Sequence, residues 1–194
     1  RSALQQIGHF NHMVVLVIPG AGIDDEITDS WRSMKDLWEI NLDDNQIGEQ
    51  TIRWLSQNRS LRSVSLARVP LDESALSTLS MLTQVTELGL AEQPVTLKHL
   101  IQLLRGDSLE HLDLSGCQIQ DALLQELATS QSLQSVKIWG SGLSEHQIES
   151  LVERNPRLMV INRDDSTALP FRPDVHSAPP SSPAQTPPSE NPSQ

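Results

Sequence analysis

One pattern of apolar residues recurs along most of this chain at a constant interval of 24 residues. Each unit follows L-x-x-L-x-L-x-x-x-x-L, with other aliphatic residues replacing some leucines, and adds apolar residues at its sixteenth and nineteenth places. The six units begin at Met13, Leu37, Leu61, Val85, Leu109 and Leu133. Thr28 alone is polar at these places, although only 37% of the chain is hydrophobic. A fixed period of this length is typical of stacked-repeat proteins.

The two halves of each unit have different hydrophobic periods. The fourth and sixth places flank a polar residue, as in Val64-Ser65-Leu66, which is the alternation of a strand with one buried face. The sixteenth and nineteenth places are three residues apart, as on one side of a helix. The twelfth place suits a helix N-cap in every unit but one, and carries Asp24, Gly48, Asp72, Thr96, Gln120 and Ser144. We therefore predict an α/β solenoid, right-handed and curved, with a parallel sheet on its concave face and short helices on its convex face.

This pattern resembles the leucine-rich-repeat family from residue 1 to about residue 163. The repeat length, the Asn45-Gln46-Ile47-Gly48 turn and the segment 151–156 are most similar to bacterial members. The family usually carries asparagine at the ninth place, where it ties successive turns together. Only Asn45 matches, because the other units carry Ala21, Val69, Gln93, Cys117 and Ser141. We therefore expect core packing alone to hold the turns, with Cys117 as a small buried residue and not a reactive thiol.

Both ends of the repeat domain, residues 1–163, carry partial repeats. Leu4 and Ile7 fit the helical places of an earlier unit whose strand is absent. Either a residual turn covers this end of the core, or more protein precedes it. At the other end, Leu158 and Ile161 suggest a seventh strand that begins one residue late, and Arg163 closes the stack.

Residues 164–194 form a tail rich in proline and serine that we expect to be disordered, because it has too few apolar residues to offset the entropy of ordering. The segment Leu169-Pro170-Phe171-Arg172-Pro173 has the spacing of a polyproline ligand. A linker is the alternative interpretation, and the high proline content favours it.

Charge and composition limit the classes of partner. The formal net charge of −11 repels phosphate backbones and anionic lipid, so we expect neither nucleic acid nor a membrane surface as partner. The longest apolar run, 13–18, is too short to span a bilayer. The single cysteine, Cys117, cannot form an internal disulfide. This favours a bacterial or intracellular protein, and we expect it in the cytoplasm of a bacterium or tethered to its membrane.

The third, fifth and seventh places of each unit should point from the concave face, since they alternate with buried places. We predict that residues here bind a protein partner. The candidates are Val15, Val17, Glu39, Asp43, Glu87, His111, Asp113 and Trp139.

One strand presents His111, Asp113 and Ser115 together, which resembles the composition of a hydrolase triad. The order excludes a triad, because the histidine must lie between the nucleophile and the carboxylate. We expect instead two solvated ion pairs between neighbouring strands, Glu87 with His111 and Asp113 with Lys137. No spacing of histidines, cysteines or carboxylates fits a metal site, and no glycine-rich phosphate loop is present. We therefore expect no catalytic residue, metal or cofactor.

Two features mark the ends of the concave face. Trp139 is either an aromatic anchor for a partner or a cover for the C-terminal end of the solenoid. At the other end, Val15 and Val17 make the first strand apolar on both faces, which is typical of a strand covered on both sides. This indicates a docking surface for an upstream segment or a partner, and the alternative is that the valines only favour strand formation.

The function expected from these features is protein–protein interaction or scaffolding through the concave face. The alternative is that the chain is the substrate-recognition part of a larger enzyme, such as a ubiquitin-ligase adaptor or a kinase, whose catalytic domain lies upstream. The fold alone does not choose between them.

The constant period predicts that the register between units is a mechanical requirement. Inserting one glycine between Leu112 and Asp113 should exchange the buried and exposed faces beyond it and disrupt stacking. Thermal unfolding followed by circular dichroism measures the effect, with the same insertion in the tail as the control. Equal melting temperatures for the two variants would contradict the prediction.

Overall fold

The computed structural model describes residues 2–163 as a stack of parallel strands and short helices. Seven strands form one sheet in sequential order. They are β1 Val15–Val17, β2 Glu39–Asn41, β3 Ser63–Ser65, β4 Glu87–Gly89, β5 His111–Asp113, β6 Ser135–Lys137 and β7 Met159–Ile161. The predicted disordered tail, 164–194, and its proline motif lie outside the described residues.

The helices lie between successive strands, as the hydrophobic periods predict. They are α1 Ser2–Gln6, α2 Asp25–Asp29, α3 Glu49–Ser56, α4 Glu73–Thr78, α5 Leu97–Leu104, α6 Asp121–Thr129 and α7 Glu145–Arg154, with 3₁₀ turns at Ile7–His9 and Leu79–Met81. The side chains of Asp24, Asp72 and Ser144 each accept a hydrogen bond from a backbone N–H in the first turn of their helix. These bonds satisfy N–H groups that have no partner within the helix, so the polar residue at the twelfth place stabilises the start of α2, α4 and α7.

Every strand pairs with its neighbour at an offset of one repeat, so that Val15 lies opposite Glu39 and Ser135 lies opposite Met159. The prediction that the seventh strand begins one residue late is therefore wrong. Backbone hydrogen bonds keep β7 in register, because the Met159 N–H donates to the Gln134 carbonyl as equivalent groups do in earlier repeats. Leu158 is buried next to the strand and covers the end of the core.

The core lies between the sheet and the helices and consists of the predicted apolar rows, which are almost entirely buried. The one polar residue in these rows, Thr28, is also buried. Its hydroxyl lies 2.7 Å from the Thr51 hydroxyl and 3.1 Å from the Asp25 carbonyl oxygen, so its one proton is shared between these two acceptors. The Asp25 carboxylate accepts hydrogen bonds from the Gly48 N–H at 2.8 Å and the Thr51 hydroxyl at 2.5 Å, and so caps the helix of the next repeat. A buried polar group is tolerated here because each partner is satisfied.

A residual turn covers the helical layer at the N-terminal end. Leu4 and Ile7 pack against the core. The fully buried Trp31 donates its indole N–H to the Leu4 carbonyl at 2.8 Å and packs edge-on against Trp54 at 6.1 Å. The partial first repeat therefore shields the helical layer of the core from water.

Side chains at the ninth place hydrogen-bond the turns together in three repeats. Asn45, Gln93 and Cys117 each donate to the carbonyl of a residue in the preceding repeat, namely Ile18 at 2.9 Å, Leu66 at 2.9 Å and Leu90 at 3.1 Å. The expectation that core packing alone holds the turns is therefore wrong, because glutamine and cysteine can replace asparagine as donors. Cys117 is buried as predicted, and burial raises the pKa of its thiol to about 11.

The ninth place offers a matched pair of substitutions. Asn45 accepts from the Ile23 N–H and donates to three carbonyls, whereas the buried Ser141 hydroxyl has no hydrogen-bond partner. Asn45→Ala leaves buried backbone groups unsatisfied and should lower the free energy of unfolding by about 3 kcal/mol. Ser141→Ala should change it by less than about 0.5 kcal/mol. Urea unfolding measures both, and similar losses would show that the ladder adds nothing to packing.

Candidate functional site

The predicted site residues lie on one face of the sheet, in rows that cross the strands. The first row runs from Val15 through Glu39, Ser63, Glu87, His111 and Ser135 to Met159, and the second from Val17 through Asn41, Ser65, Gly89, Asp113 and Lys137 to Ile161. Asp43 and Trp139 follow the strands on the same side. Six steps of about 4.8 Å separate β1 from β7, so each row is about 29 Å long.

Hydrogen bonds around Asp43 fix the concave face at β2 and β3. The Asp43 carboxylate accepts from the Ser65 hydroxyl at 2.6 Å and the Ala67 N–H at 2.8 Å. Its other oxygen accepts from the Asn41 amide at 3.1 Å. Asn41 is buried although it belongs to a row that faces the concavity. Asp43 therefore stabilises the surface, while the negative charge that it contributes remains on that surface.

Glu87 is the most enclosed carboxylate in the first row, with 7% of its surface exposed. Burial raises the pKa of this carboxyl to about 7, and the charges of Glu39 and Glu110 raise it further, while a hydrogen bond with Ser63 opposes them. The strand register places Glu87 opposite His111, as predicted. The prediction that this pair is solvated is wrong for Glu87, because neighbouring side chains on the concave face exclude water from it.

The His111 side chain contacts Ser135 on the neighbouring strand β6. Its Nδ1 lies 2.9 Å from the Ser135 hydroxyl, and its Nε2 lies 4.0 Å from a Glu110 oxygen. Burial lowers the pKa of His111, and the charge of Glu110 partly offsets this. The Ser135, His111 and Glu110 groups lie in the order of a triad. Ser135 is only 1% exposed, however, so its hydroxyl cannot reach a substrate.

The trio on β5 does not assemble. The Asp113 carboxylate accepts a hydrogen bond from the Ser115 N–H at 2.9 Å, which turns it along its own strand. The residues of β5 alone did not predict the contact between His111 and Ser135. The information needed was the pairing of rows, since Ser135 lies directly opposite His111.

The adjacent carboxylates of Asp43 and Asp44 lie in different surroundings. Asp44 binds Arg68 through both oxygens, at 2.7 and 2.8 Å, and this hydrogen bonding lowers the pKa of its carboxyl. Asp43 is held by Ser65 and Ala67. Across residues 2–163, no group of three or more histidine, cysteine or acidic side chains is placed to hold a metal ion.

Exposed apolar side chains lie at both ends of the concave face. At the β1 end, Val15 and Val17 are 48% and 47% exposed. At the other end, Trp139 is 45% exposed and Met159 is 59% exposed. The sequence analysis missed Met159, because the late start assigned to β7 placed this residue on the flank of the solenoid. Correct pairing with Ser135 assigns it to the first row.

Comparison with known proteins identifies the type of repeat in this chain. The family model described as Leucine Rich Repeat matches residues 108–129. The chain is similar to a chain of the crystallised TLR13–ssRNA13 complex, with 17% identity over 83% of this chain and 27% of that chain, and a TM-score of 0.49. It is also similar to an internalin (inlF) from Listeria monocytogenes, with 16% identity over 84% of this chain and 60% of that chain, and a TM-score of 0.46. No curated protein sequence matches it.

The parallel sheet, the row of short helices and the family match identify the fold as an α/β leucine-rich-repeat solenoid, which confirms the predicted fold class. Solenoids of this kind are in general protein-interaction modules, because stacking produces an extended concave surface. Among the described helices, none has both the length and the apolar character needed to cross a membrane.

The burial of Glu87 predicts a dependence of stability on pH. Its pKa is higher in the folded chain, at about 7, than the ordinary glutamate value of 4.5, so folding favours the protonated form. This group's contribution to stability therefore falls as pH rises from 4.5 to about 7, and the loss is complete above that range. Glu87→Gln should abolish this component and make the variant more stable than the wild type at pH 8 by on the order of 2 kcal/mol.

Urea unfolding between pH 5 and pH 8 measures this difference. Glu153→Gln, at an exposed position of α7, removes the same charge and is the control. Parallel stability curves for the Glu87 variant and the wild type would contradict the prediction.

Proposed function

We propose that this solenoid is a binding or scaffolding module that holds a protein partner on its concave face. The position of its exposed apolar surface carries the proposal. Among the described residues, eight large hydrophobic side chains are exposed, and four of them, Val15, Val17, Trp139 and Met159, lie on the outer strands of the concave rows or just after β6. Apolar side chains that face water at defined places mark interaction surfaces when they lie on one face.

The rigidity of this face supports the proposal. Each internal strand pairs on both sides, and the Asp43 network ties the ends of β2 and β3 together. A surface that is already ordered loses little conformational entropy when a partner binds.

The exposure of Trp139 on a fixed backbone also supports the proposal. This residue follows β6 and keeps 45% of its surface exposed, although its backbone carbonyl accepts from the Gly116 N–H at 2.7 Å. The backbone is therefore fixed while the indole faces water, as expected of an aromatic anchor. If the chain is the recognition part of a larger enzyme, the same surface would hold the substrate.

Peptides selected from a random library displayed on phage provide a probe for this face. Trp139→Ala should weaken the binding of the selected peptides at least tenfold, because anchors of this kind contribute more than about 1.4 kcal/mol. Isothermal titration calorimetry measures the affinities.

Phe10→Ala is the matched control, since Phe10 is an aromatic residue that is 63% exposed and lies outside the sheet. Affinity that depends on Phe10 and not on Trp139 would contradict binding at the concave face.

A further inference from the structure

The geometry points to the class of partner that this face accepts: a basic segment of a protein that carries apolar side chains at both ends, about 29 Å apart. This inference rests on the proposed function and deepens it. Three features of the concave face support it, namely two apolar ends, an acidic centre and the distance between the ends.

The apolar ends are separated by strands that carry no exposed large apolar side chain on this face. Val15 and Val17 lie on β1, whereas Met159 lies on β7 and Trp139 follows β6. The exposed fractions of these four side chains lie between 45% and 59%. A ligand that covers the whole face therefore buries apolar surface only at its two ends, and each buried side chain contributes roughly 1.5 to 3 kcal/mol before the costs of binding.

The centre of the face carries more negative than positive charge. Glu39, Asp43, Glu87 and Asp113 lie in the concave rows, where Lys137 is the one lysine or arginine among the residues of these rows. Enclosure in a concave surface strengthens the field of such charges at a bound ligand. The complementary ligand is cationic in its central part, which disfavours a second copy of this chain, since the formal net charge of the chain is −11.

The distance between the apolar ends sets the length of the segment. A main chain in the extended conformation covers about 29 Å in roughly nine residues, and a helix covers it in roughly nineteen. The central lysines or arginines of the partner then lie above β2 to β5, close to Glu87.

Binding of such a segment should become tighter as pH rises through about 7, where Glu87 ionises. The groups that face Glu87 are Glu39 on β2, and His111 and Glu110 at β5. His111 does not oppose this change, because burial lowers its pKa and it therefore loses its positive charge at a lower pH. Cationic side chains of the partner stay charged, so the change arises in this chain.

The test uses the full chain and a random peptide library on phage. Selected peptides should carry lysine or arginine centrally and apolar residues at both ends, with an affinity that falls as salt increases. Three double variants should each weaken binding at least tenfold: Val15→Ala with Val17→Ala, Trp139→Ala with Met159→Ala, and Glu39→Gln with Glu87→Gln. Glu87→Gln alone should flatten the dependence of affinity on pH.

Matched variants outside the face are the controls. Met81→Ala with Val152→Ala removes two side chains that are each 44% exposed, and Glu145→Gln with Glu153→Gln removes two charges from α7. Both pairs should leave affinity within twofold, and circular dichroism should show wild-type folding for every variant. A single-stranded RNA oligonucleotide and a second copy of the chain, tested by sedimentation, should not bind.

The outcomes separate the two proposals. The selected peptides could lose affinity for the three concave-face double variants and yet be acidic, uncharged or apolar at one end only. This result would overturn the basic-segment inference but would still support binding at the concave face. Peptides whose affinity falls only with the two control double variants would overturn the proposed function. Selection of no peptide, binding of the RNA oligonucleotide, or self-association abolished by the valine variants would each overturn the inference.

Discussion

Parallel backbone pairing at a constant offset of one repeat is the constraint on which the rest of this structure depends. It brings residues that are 24 apart in sequence into contact, as between Asp43 and Ala67 or His111 and Ser135. Any feature that recurs at this interval therefore becomes a continuous row in three dimensions. The apolar rows become the core, and the third and fifth places become the concave face.

The turns show that one geometric requirement can be met by different chemistry. In three repeats the ninth place carries a donor to a carbonyl of the preceding repeat, and Asn45, Gln93 and Cys117 each supply it with a different side chain. An apolar row can also contain a polar residue when the neighbouring repeat supplies a hydrogen-bond partner, as Thr51 does for Thr28. Interactions between adjacent repeats thus compensate for changes within one repeat, because each repeat contacts mainly its neighbours.

The concave face combines a fixed backbone with unevenly distributed polarity. Carboxylates are concentrated on the middle strands, and exposed apolar side chains lie on the outer ones. Crowding in the middle has an electrostatic consequence at Glu87, which is buried beside other acids and has a raised pKa. A cationic ligand would relieve that repulsion, so the same arrangement that disfavours the ionised carboxylate in the free chain favours a basic partner.

The sequence by itself determined the repeat, the order of strands and helices and the membership of the concave rows from β1 to β6, because these follow from local periodicity. Only the tertiary structure decided the register of β7, which revealed Met159 as an end residue, and the burial of Glu87. It also decided the partners of His111 and Cys117. Side-chain partners and exclusion of water depend on groups a full repeat away, so they follow from how repeats stack and not from the pattern within one repeat.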